Sequence, residues 1–426
     1  MKPNPISDFR SLIENIPLKF QQSIYNWGFI LLGLLAERIF TALALITFAK
    51  RVSPVEYGQY ISSYSLVSFL IVIPGFGLDA WLLVRGKNNQ SITKSMWRHS
   101  LSLRMKLLAG WFIVMLVIIN FLPKETFPPA IIIISSLGLI FDSLLLLAFA
   151  AFRNLNQHGK ITIYQSVSSG ALLLFVYFVD LGNYETLYFA CARTGLSIIF
   201  AILLYSSRSN DLRQNIDSIS HKSILKEAQP FMFAELASVV YVRADLTIIS
   251  LVLGAGASGI YGPAINILQL TFLLPRALFY LLVPILSRTY EKSIQTFLFR
   301  NIIQMIGQFS IGIVFSMILL FFSPAIINLV YDPSYITSSS ILLLLSPIPL
   351  LRSLNFSLGA TLATSDNQKN RTIVQVSTAI FNVIGNLLIV RRFGVAGVAV
   401  MYTLSELVLY LGYTITSLIW IKNIQK

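Results

Sequence analysis

The residues of this sequence that could do chemistry are charged side chains set inside long apolar stretches. Each such charge costs about 2.5–3.5 kcal/mol to place at the centre of a membrane helix, so it normally faces a polar cavity or a partner. The set comprises Glu37, Arg38, Asp79, Asp142, Arg193, Glu235, Arg243, Asp245, Arg276, Arg352 and Glu406. A chain that only anchored another protein would have little reason to keep so many, so they indicate a polar, water-accessible lumen.

The arginines suit one kind of ligand. A guanidinium binds phosphate oxygens in pairs and never loses its charge, so mid-depth arginines facing a lumen would receive a diphosphate or an acidic sugar. The residues expected to bind this substrate are Arg38, Arg243, Arg276, Arg352, Gln269 and Asn266. The alternative for each arginine is that it pairs with a carboxylate and fastens two helices together.

The carboxylates have two possible roles. A carboxylate inside the membrane can carry a proton or bind sodium during transport, or it can pair with a neighbouring helix. Ion coupling or structural pairing is expected for Glu37, Asp142, Asp245 and Glu406. Arg243 and Asp245 point about 200° apart on a helix, so one of them must pair with a neighbouring helix instead of facing the lumen.

Cofactor and metal chemistry is not expected. Cys191 is the sole cysteine, so an internal disulfide and a cysteine-rich metal site are excluded. The three histidines lie in polar connectors, which disfavours a buried haem or zinc centre. Apart from a coupling ion, H⁺ or Na⁺, we expect no cofactor.

Composition determines which elements hold these residues. The chain has 426 residues, of which 55% are hydrophobic and 12% charged, with a mean hydropathy of +0.73. Soluble domains carry about 25% charged residues, so a cytosolic enzyme, a disordered protein and a secreted disulfide scaffold are excluded. The chain is predicted to be an integral membrane protein. Its net charge of +14 indicates orientation and not nucleic-acid binding.

Hydropathy predicts an all-α protein with about twelve transmembrane helices, since a spanning helix needs about 20 mainly apolar residues. The spans are predicted at roughly 27–49, 60–83, 105–122, 129–152, 162–179, 186–206, 231–253, 259–286, 302–323, 337–361, 372–390 and 397–421. Runs such as 130–151 are continuously apolar, whereas a β-barrel would need short alternating segments.

Lysine and arginine positions predict the topology. With both termini in the cytosol, the inside segments carry 22 of these residues and the outside loops carry 5. The predicted domains are a cytosolic arm (1–26), a first six-helix bundle (27–206), a cytosolic linker (207–229), a second bundle (230–421) and a tail (422–426). Every outside loop is too short for a catalytic domain, so we expect a transporter and not an enzyme; this also argues against a membrane glycosyltransferase, polymerase or ligase.

The two bundles resemble each other. VSPVEYGQY at 52–60 follows the first span, and ASGIYGPA at 257–264 follows the seventh. When Gly58 is aligned with Gly262, Arg38 lies 20 residues before the first glycine and Arg243 lies 19 before the second. Arg85 follows the first glycine by 27 residues, and Arg288 follows the second by 26. Prolines interrupt both following spans, at Pro74 and Pro275. These spacings predict a six-helix repeat related by a pseudo-twofold axis, with the substrate site between the halves.

Five segments carry a family resemblance over nearly the whole chain. They are VSPVEYGQY at 52–60, YVRADLTIISLVLGAGASGIYGPA at 241–264, LLVPILSR at 281–288, YDPSYITSSSILLLL at 331–345 and FNVIGNLLIVRRFGVAGVAV at 381–400. In this order the chain resembles the polysaccharide (O-antigen type) flippases of the multidrug/oligosaccharidyl-lipid/polysaccharide exporter superfamily. It departs from their pattern at Asp332, where a glycine is usual.

The resemblance implies a V-shaped pair of six-helix bundles around a central cavity in the inner (cytoplasmic) membrane. It implies that the chain moves an undecaprenyl-diphosphate-type, lipid-linked oligosaccharide, of O-antigen or another surface polysaccharide, to the outer leaflet by alternating access. Other membrane proteins of polysaccharide assembly are implied partners. The alternatives are a drug/cation antiporter of the same superfamily and a peptidoglycan-precursor flippase, which usually has two more spans.

Overall fold

A computed structural model describes residues 18–85, 90–155, 157–179, 185–206, 220–365 and 367–424. Within these ranges every regular element is helical. The α-helices are α1 (Leu18–Ala49), α2 (Pro54–Leu70), α3 (Val72–Gly75), α4 (Leu78–Arg85), α5 (Gln90–Ile118), α6 (Pro129–Asn154), α7 (His158–Phe178), α8 (Glu185–Ser206), α9 (His221–Leu253), α10 (Ala255–Thr271), α11 (Leu273–Lys292), α12 (Ile294–Val330), α13 (Ser338–Leu344), α14 (Ile348–Thr364) and α15 (Gln368–Ile424). Single 3₁₀ turns lie at Ile119–Phe121 and Pro333–Tyr335.

The number of spans agrees with the sequence. Eight helical stretches of the described residues are long and apolar enough to cross a membrane, and three bent helix pairs raise the number to eleven. The last stretch, α15, has a non-helical backbone at Gly394 and is two helices joined at that residue. The predicted all-α protein of about twelve spans is therefore confirmed.

Segment ends differ from the predicted domain boundaries. Residues 1–17 of the predicted arm, 207–219 of the predicted linker and 425–426 of the tail lie outside the described residues. The first helix already begins at Leu18, and α9 begins at His221, within the predicted linker.

Local sequence explains where spans begin and break. Ser53 caps α2: its hydroxyl accepts from the Glu56 amide while the Glu56 carboxylate accepts from the Ser53 amide, with Pro54 in the first turn. The second span breaks after Pro74, where Phe76 and Gly77 both have positive φ (50° and 63°). The eighth span breaks at Phe272, just before Pro275. The predicted proline interruptions of both spans are confirmed.

The two six-helix bundles, called the first lobe (α1–α8) and the second lobe (α9–α15), repeat one pattern of helix packing. In the first lobe the first span (α1) packs along the fifth (α7), and the fourth (α6) along the sixth (α8). In the second lobe α9 packs along the first half of α15, and α14 packs against α15. The same pairs of spans meet in both halves, as the sequence repeat predicts.

The lobes meet most closely where α2 crosses α10. A Cβ on Gly58 would lie 1.9 Å from the carbonyl oxygen of Ala255, and a Cβ on Gly259 would lie 1.8 Å from that of Pro54. Only glycine permits this backbone contact. The Tyr335 hydroxyl adds a hydrogen bond to the Val52 carbonyl oxygen across the lobes (3.2 Å). We call the membrane face containing this contact the closed face.

The helix that connects the lobes is bent by 57° between its segments His221–Val240 and Val242–Leu253. Its first segment packs on the first lobe. The Glu227 carboxylate accepts from Trp81 Nε1 (3.2 Å) and pairs with Arg85 (3.1 Å), and the backbone at Met232 lies against Gly77. The second segment packs along α15 in the second lobe.

Gly58→Ala should destabilise the protein, because the new methyl group meets backbone atoms of α10 that cannot rotate away. Overpacking of this kind costs about 1–3 kcal/mol, so we expect a lower melting temperature of the detergent-purified protein. Gly307→Ala on α12 is the matched control, since its Cβ meets no atom within 4 Å. Equal melting temperatures for the two variants would contradict the close crossing.

Candidate functional site

A cavity of about 390 Å³ lies between the lobes at mid-depth. The first lobe provides most of its wall, from α1, α2, α6, α7 and α8. The second lobe contributes residues of α10, with Arg243 and Leu246 of α9 beside them. The wall reaches Phe149 and Tyr164, near the ends of their helices that lie opposite the closed face. The cavity therefore extends from the middle of the protein away from that face.

Aromatic packing seals the cavity toward the closed face. Phe48 stacks on Phe189 with ring centroids 4.3 Å apart, and Tyr60 meets both rings edge-on. Tyr57 makes an edge contact with Tyr335 of the second lobe (5.9 Å). All five side chains are buried, so this layer excludes water between the cavity and the closed face.

Three arginines line the cavity: Arg38, Arg193 and Arg243. The Arg38 side chain is exposed, and those of Arg193 and Arg243 are half-buried. Arg193 donates to the Tyr64 hydroxyl (2.5 Å) and its guanidinium lies 4.1 Å from the centre of that ring. None of the three forms a salt bridge with a carboxylate of the described residues. Their charge is therefore available to an anion in the cavity.

Two carboxylates share the cavity with these arginines. Glu37 accepts a hydrogen bond from Gln165 Nε2 (2.7 Å), and Asp142 accepts one from the Ser197 hydroxyl (2.6 Å). Both donors are neutral and belong to the cavity wall. Each carboxylate is thus oriented by a neutral donor of its own lobe, and it interacts electrostatically with the lobe's arginines without a direct salt bridge among the described residues.

The structure brings together six of the ten predicted site residues. Those on the cavity wall are Arg38, Glu37, Asp142, Arg243, Asn266 and Gln269. Gln269 is exposed, whereas Asn266 donates to the Tyr331 hydroxyl (3.1 Å). Arg276, on α11, is half-buried and interacts electrostatically with Arg38 and Arg352, but it is not among the described lining residues.

Arg352 and Glu406 lie elsewhere, inside the second lobe. Arg352 Nη1 is 2.8 Å from Glu406 Oε1, and the Glu406 side chain is fully buried. Glu406 also accepts from Asn355 Nδ2 (2.8 Å), and the Arg352 guanidinium lies 5.2 Å from the centre of the Phe272 ring. This arrangement is the helix-fastening alternative considered for the arginines.

Asp245 belongs to a second buried polar group. Asn386 donates to its carboxylate (2.7 Å) and to the side-chain oxygen Oδ1 of Asn382 (3.2 Å), and Asn382 donates to the Ser405 hydroxyl (3.1 Å). This chain joins α9 to both halves of α15. Arg243 lines the cavity and Asp245 does not, so the two side chains lie on different sides of α9, in agreement with their separation of about 200°.

Sequence reasoning missed three members of the site and one structural charge. The charge pattern singles out Arg193 as an intramembrane charge but gives no reason to place it in the site, and the neutral donors Gln165 and Ser197 carry no signal of their own. The third span is predicted to begin at about residue 105, which puts Arg104 in the cytosolic segment before it. Arg104 is buried inside α5, where it pairs with Asp79 and donates to the carbonyl oxygens of Gly75 and Ser143 (2.6 and 2.9 Å).

In the described part of the chain, no three His, Cys, Asp or Glu side chains are grouped so as to hold a metal ion.

Known proteins resemble this chain in family and fold. The model of the family described as polysaccharide biosynthesis protein matches residues 23–290. A comparison with curated protein sequences gives no match. An inward-facing structure of a multidrug resistance MATE family transporter of the MOP superfamily superposes with a TM-score of 0.75, at 14% identity, covering 92% of this chain and 99% of the other.

Two further solved structures have the same fold. The lipid II flippase MurJ, in an inward closed conformation, gives a TM-score of 0.68 at 16% identity, covering 90% of this chain and 86% of the other. A MOP superfamily transporter from Pyrococcus furiosus, described as having a binding pocket of reverse polarity, gives 0.67 at 13% identity, covering 95% and 96%. At these identities the likeness concerns the fold.

Arg352→Ala should destabilise the protein strongly, by about 3–5 kcal/mol, because it removes the cation that is paired with the fully buried Glu406 carboxylate. Replacing both residues, as Arg352→Met with Glu406→Leu, should recover most of the lost stability. The measurement is the melting temperature of purified protein in detergent. Arg38→Ala serves as the control, since its side chain is exposed on the cavity, and it should change stability by less than about 0.5 kcal/mol. A stable Arg352→Ala variant would refute the fastening role.

Proposed function

Because the chain belongs to the polysaccharide biosynthesis protein family, we propose that it moves lipid-linked saccharides across a membrane. The proposed substrate is an oligosaccharide repeat unit joined through a diphosphate to an undecaprenyl-type lipid. The proposed direction is from the cytosolic to the outer leaflet of the inner membrane, with both termini in the cytosol. The oligosaccharide would supply O-antigen or another surface polysaccharide.

One observation carries this proposal: three arginines that form no salt bridge within the described part of the chain line a cavity between the lobes. Desolvated guanidinium groups are costly to keep in such a place. A diphosphate offers several anionic oxygens that a guanidinium can bind in pairs. Binding of an anionic head group in the cavity, with the lipid tail left in the bilayer, would compensate the free energy that is needed to place these charges there.

The mechanism follows from the contact between the lobes. The glycine crossing and the aromatic layer close one face, while the cavity extends toward the other. Binding of the diphosphate at Arg38 and Arg243, which come from different lobes, would favour a state in which the lobes approach around it. A ligand shifts such an equilibrium only by binding one state better, so these arginines would couple binding to the movement of the lobes.

No covalent step is proposed, and the chain would act as a transporter and not as an enzyme. Resetting of the carrier would use a proton or sodium ion on a lumen carboxylate, or the membrane potential acting on the cavity charges. Glu37 and Asp142 lie on the cavity wall for such a role, whereas Asp245 and Glu406 would act from inside the second lobe.

Two other transport functions use the same fold. The carboxylates Glu37 and Asp142 in the cavity favour a cationic drug as the substrate of an antiporter, but the three unpaired arginines repel a cation. A peptidoglycan precursor shares the lipid diphosphate, so arginine chemistry alone does not separate it from the proposed substrate.

Loss of a cavity arginine should lower transport strongly without lowering the amount of protein in the membrane. In cells that lack their own polysaccharide flippase, wild type should restore surface polymer. We expect Arg38→Ala, Arg193→Ala and Arg243→Ala to lower it at least about tenfold, since each removes a charged hydrogen bond of about 1.5–3 kcal/mol. Surface polysaccharide and cytosol-facing lipid-linked oligosaccharide are measured together with the amount of protein in the membrane.

Arg391→Ala is the matched control, because Arg391 is exposed and lies outside the cavity. Arg38→Lys tests the need for a guanidinium, and it should restore transport only in part. The proposal is contradicted if well-expressed alanine variants of all three cavity arginines transport like wild type.

A further inference from the structure

We infer that the cavity selects glycans without acidic sugars, because the Glu37 and Asp142 carboxylates act as acceptors for sugar hydroxyl groups. This inference rests on the proposed function. It goes further in stating that the glycan part of the substrate adds no negative charge to that of the diphosphate. It gives the two carboxylates a role in specificity in place of a role in pairing.

The hydrogen bonds of the two carboxylates support an acceptor role. Glu37 is bonded by Gln165 (2.7 Å) and Asp142 by Ser197 (2.6 Å), and neither forms a salt bridge within the described part of the chain. A carboxylate has two oxygens that only accept hydrogen bonds. Each neutral donor therefore orients its carboxylate and leaves acceptor capacity for a ligand in the cavity.

The remaining wall near these carboxylates suits a sugar. Tyr64, Tyr164, Phe149 and Phe200 line the same space, together with small hydroxyl residues of α7. Ligand sites of this kind combine apolar and aromatic surface with a few polar groups that fix orientation. A sugar ring offers apolar C–H faces to such rings and hydroxyl donors to the carboxylates.

The balance of charge decides which glycans fit. The three lining arginines and two carboxylates leave one positive charge on the wall. A diphosphate that is bonded at both ends carries one negative charge on each phosphate. These two negative charges already exceed the single net positive charge of the cavity wall. An acidic sugar would add a further negative charge beside Glu37 and Asp142, and like charges placed together at a binding surface weaken binding.

The test compares matched ligands on the full-length protein in lipid nanodiscs. The probes are a polyprenyl diphosphate alone, the same lipid carrying a disaccharide of glucose, and the same lipid with its terminal glucose replaced by glucuronic acid. Dissociation constants are measured for wild type, for the double variant Glu37→Gln with Asp142→Asn, and for Glu291→Gln. Glu291 is an exposed acid outside the cavity, so its variant is the matched control.

Wild type and Glu291→Gln should bind the glucose ligand at least about tenfold more tightly than the glucuronic acid ligand. In the double variant the ratio should fall below about threefold, since amides still accept hydrogen bonds from hydroxyl groups but no longer repel an anion. Binding of the bare polyprenyl diphosphate by every variant shows that the cavity is intact.

Two results would overturn the inference and leave the proposed function standing. One is equal or tighter binding of the glucuronic acid ligand by wild type. The other is an unchanged ratio of the two dissociation constants in the double variant, which would leave ion coupling as the role of both carboxylates. If no lipid diphosphate binds to folded wild-type protein, the proposed function fails and the inference fails with it.

Discussion

The high free energy of a charged group in hydrocarbon governs the interior of this protein. Each charge placed in a span must be paired or face a polar space, and the structure uses both solutions in separate regions. Arg352 with Glu406, and Arg104 with Asp79, are paired inside their lobes. Arg38, Arg193 and Arg243 face the cavity instead. The lobes are thus held together internally by some charges, while others are concentrated where the lobes meet.

Most of the fold follows from sequence, because hydrophobic length and proline positions act locally. The all-helical fold of about twelve spans, the breaks near Pro74 and Pro275 and the repeat of six helices were all predictable. The composition of the site was only partly predictable. Depth in the membrane identified Arg38 and Arg243, but depth is the same for a residue on either side of a helix. Whether Arg352 meets Glu406 or a ligand depends on how α14 packs against α15, which one sequence does not reveal.

Arg104 and Arg193 mark two different limits of sequence reasoning. Arg104 stands at the polar end of its span, so hydropathy places it in the cytosol. Its buried partners come from other spans: Asp79 and the Gly75 carbonyl oxygen from the broken second span, and the Ser143 carbonyl oxygen from the fourth. Arg193 was visible as a charge within an apolar segment. Its importance follows from Tyr64 and Asp142, which lie far from it in sequence and are brought near it by the packing of α2, α6 and α8.

The bend in α9 has a consequence for how the lobes can move. Its first segment is fixed to the first lobe by Glu227 and the contact at Gly77, and its second segment is fixed to the second lobe by Asp245. The part of α9 between these two attachments is therefore the few residues around the bend. If the lobes rotate relative to each other during transport, the backbone at this bend must turn with them. The bend angle of α9 would then change together with the opening of the cavity.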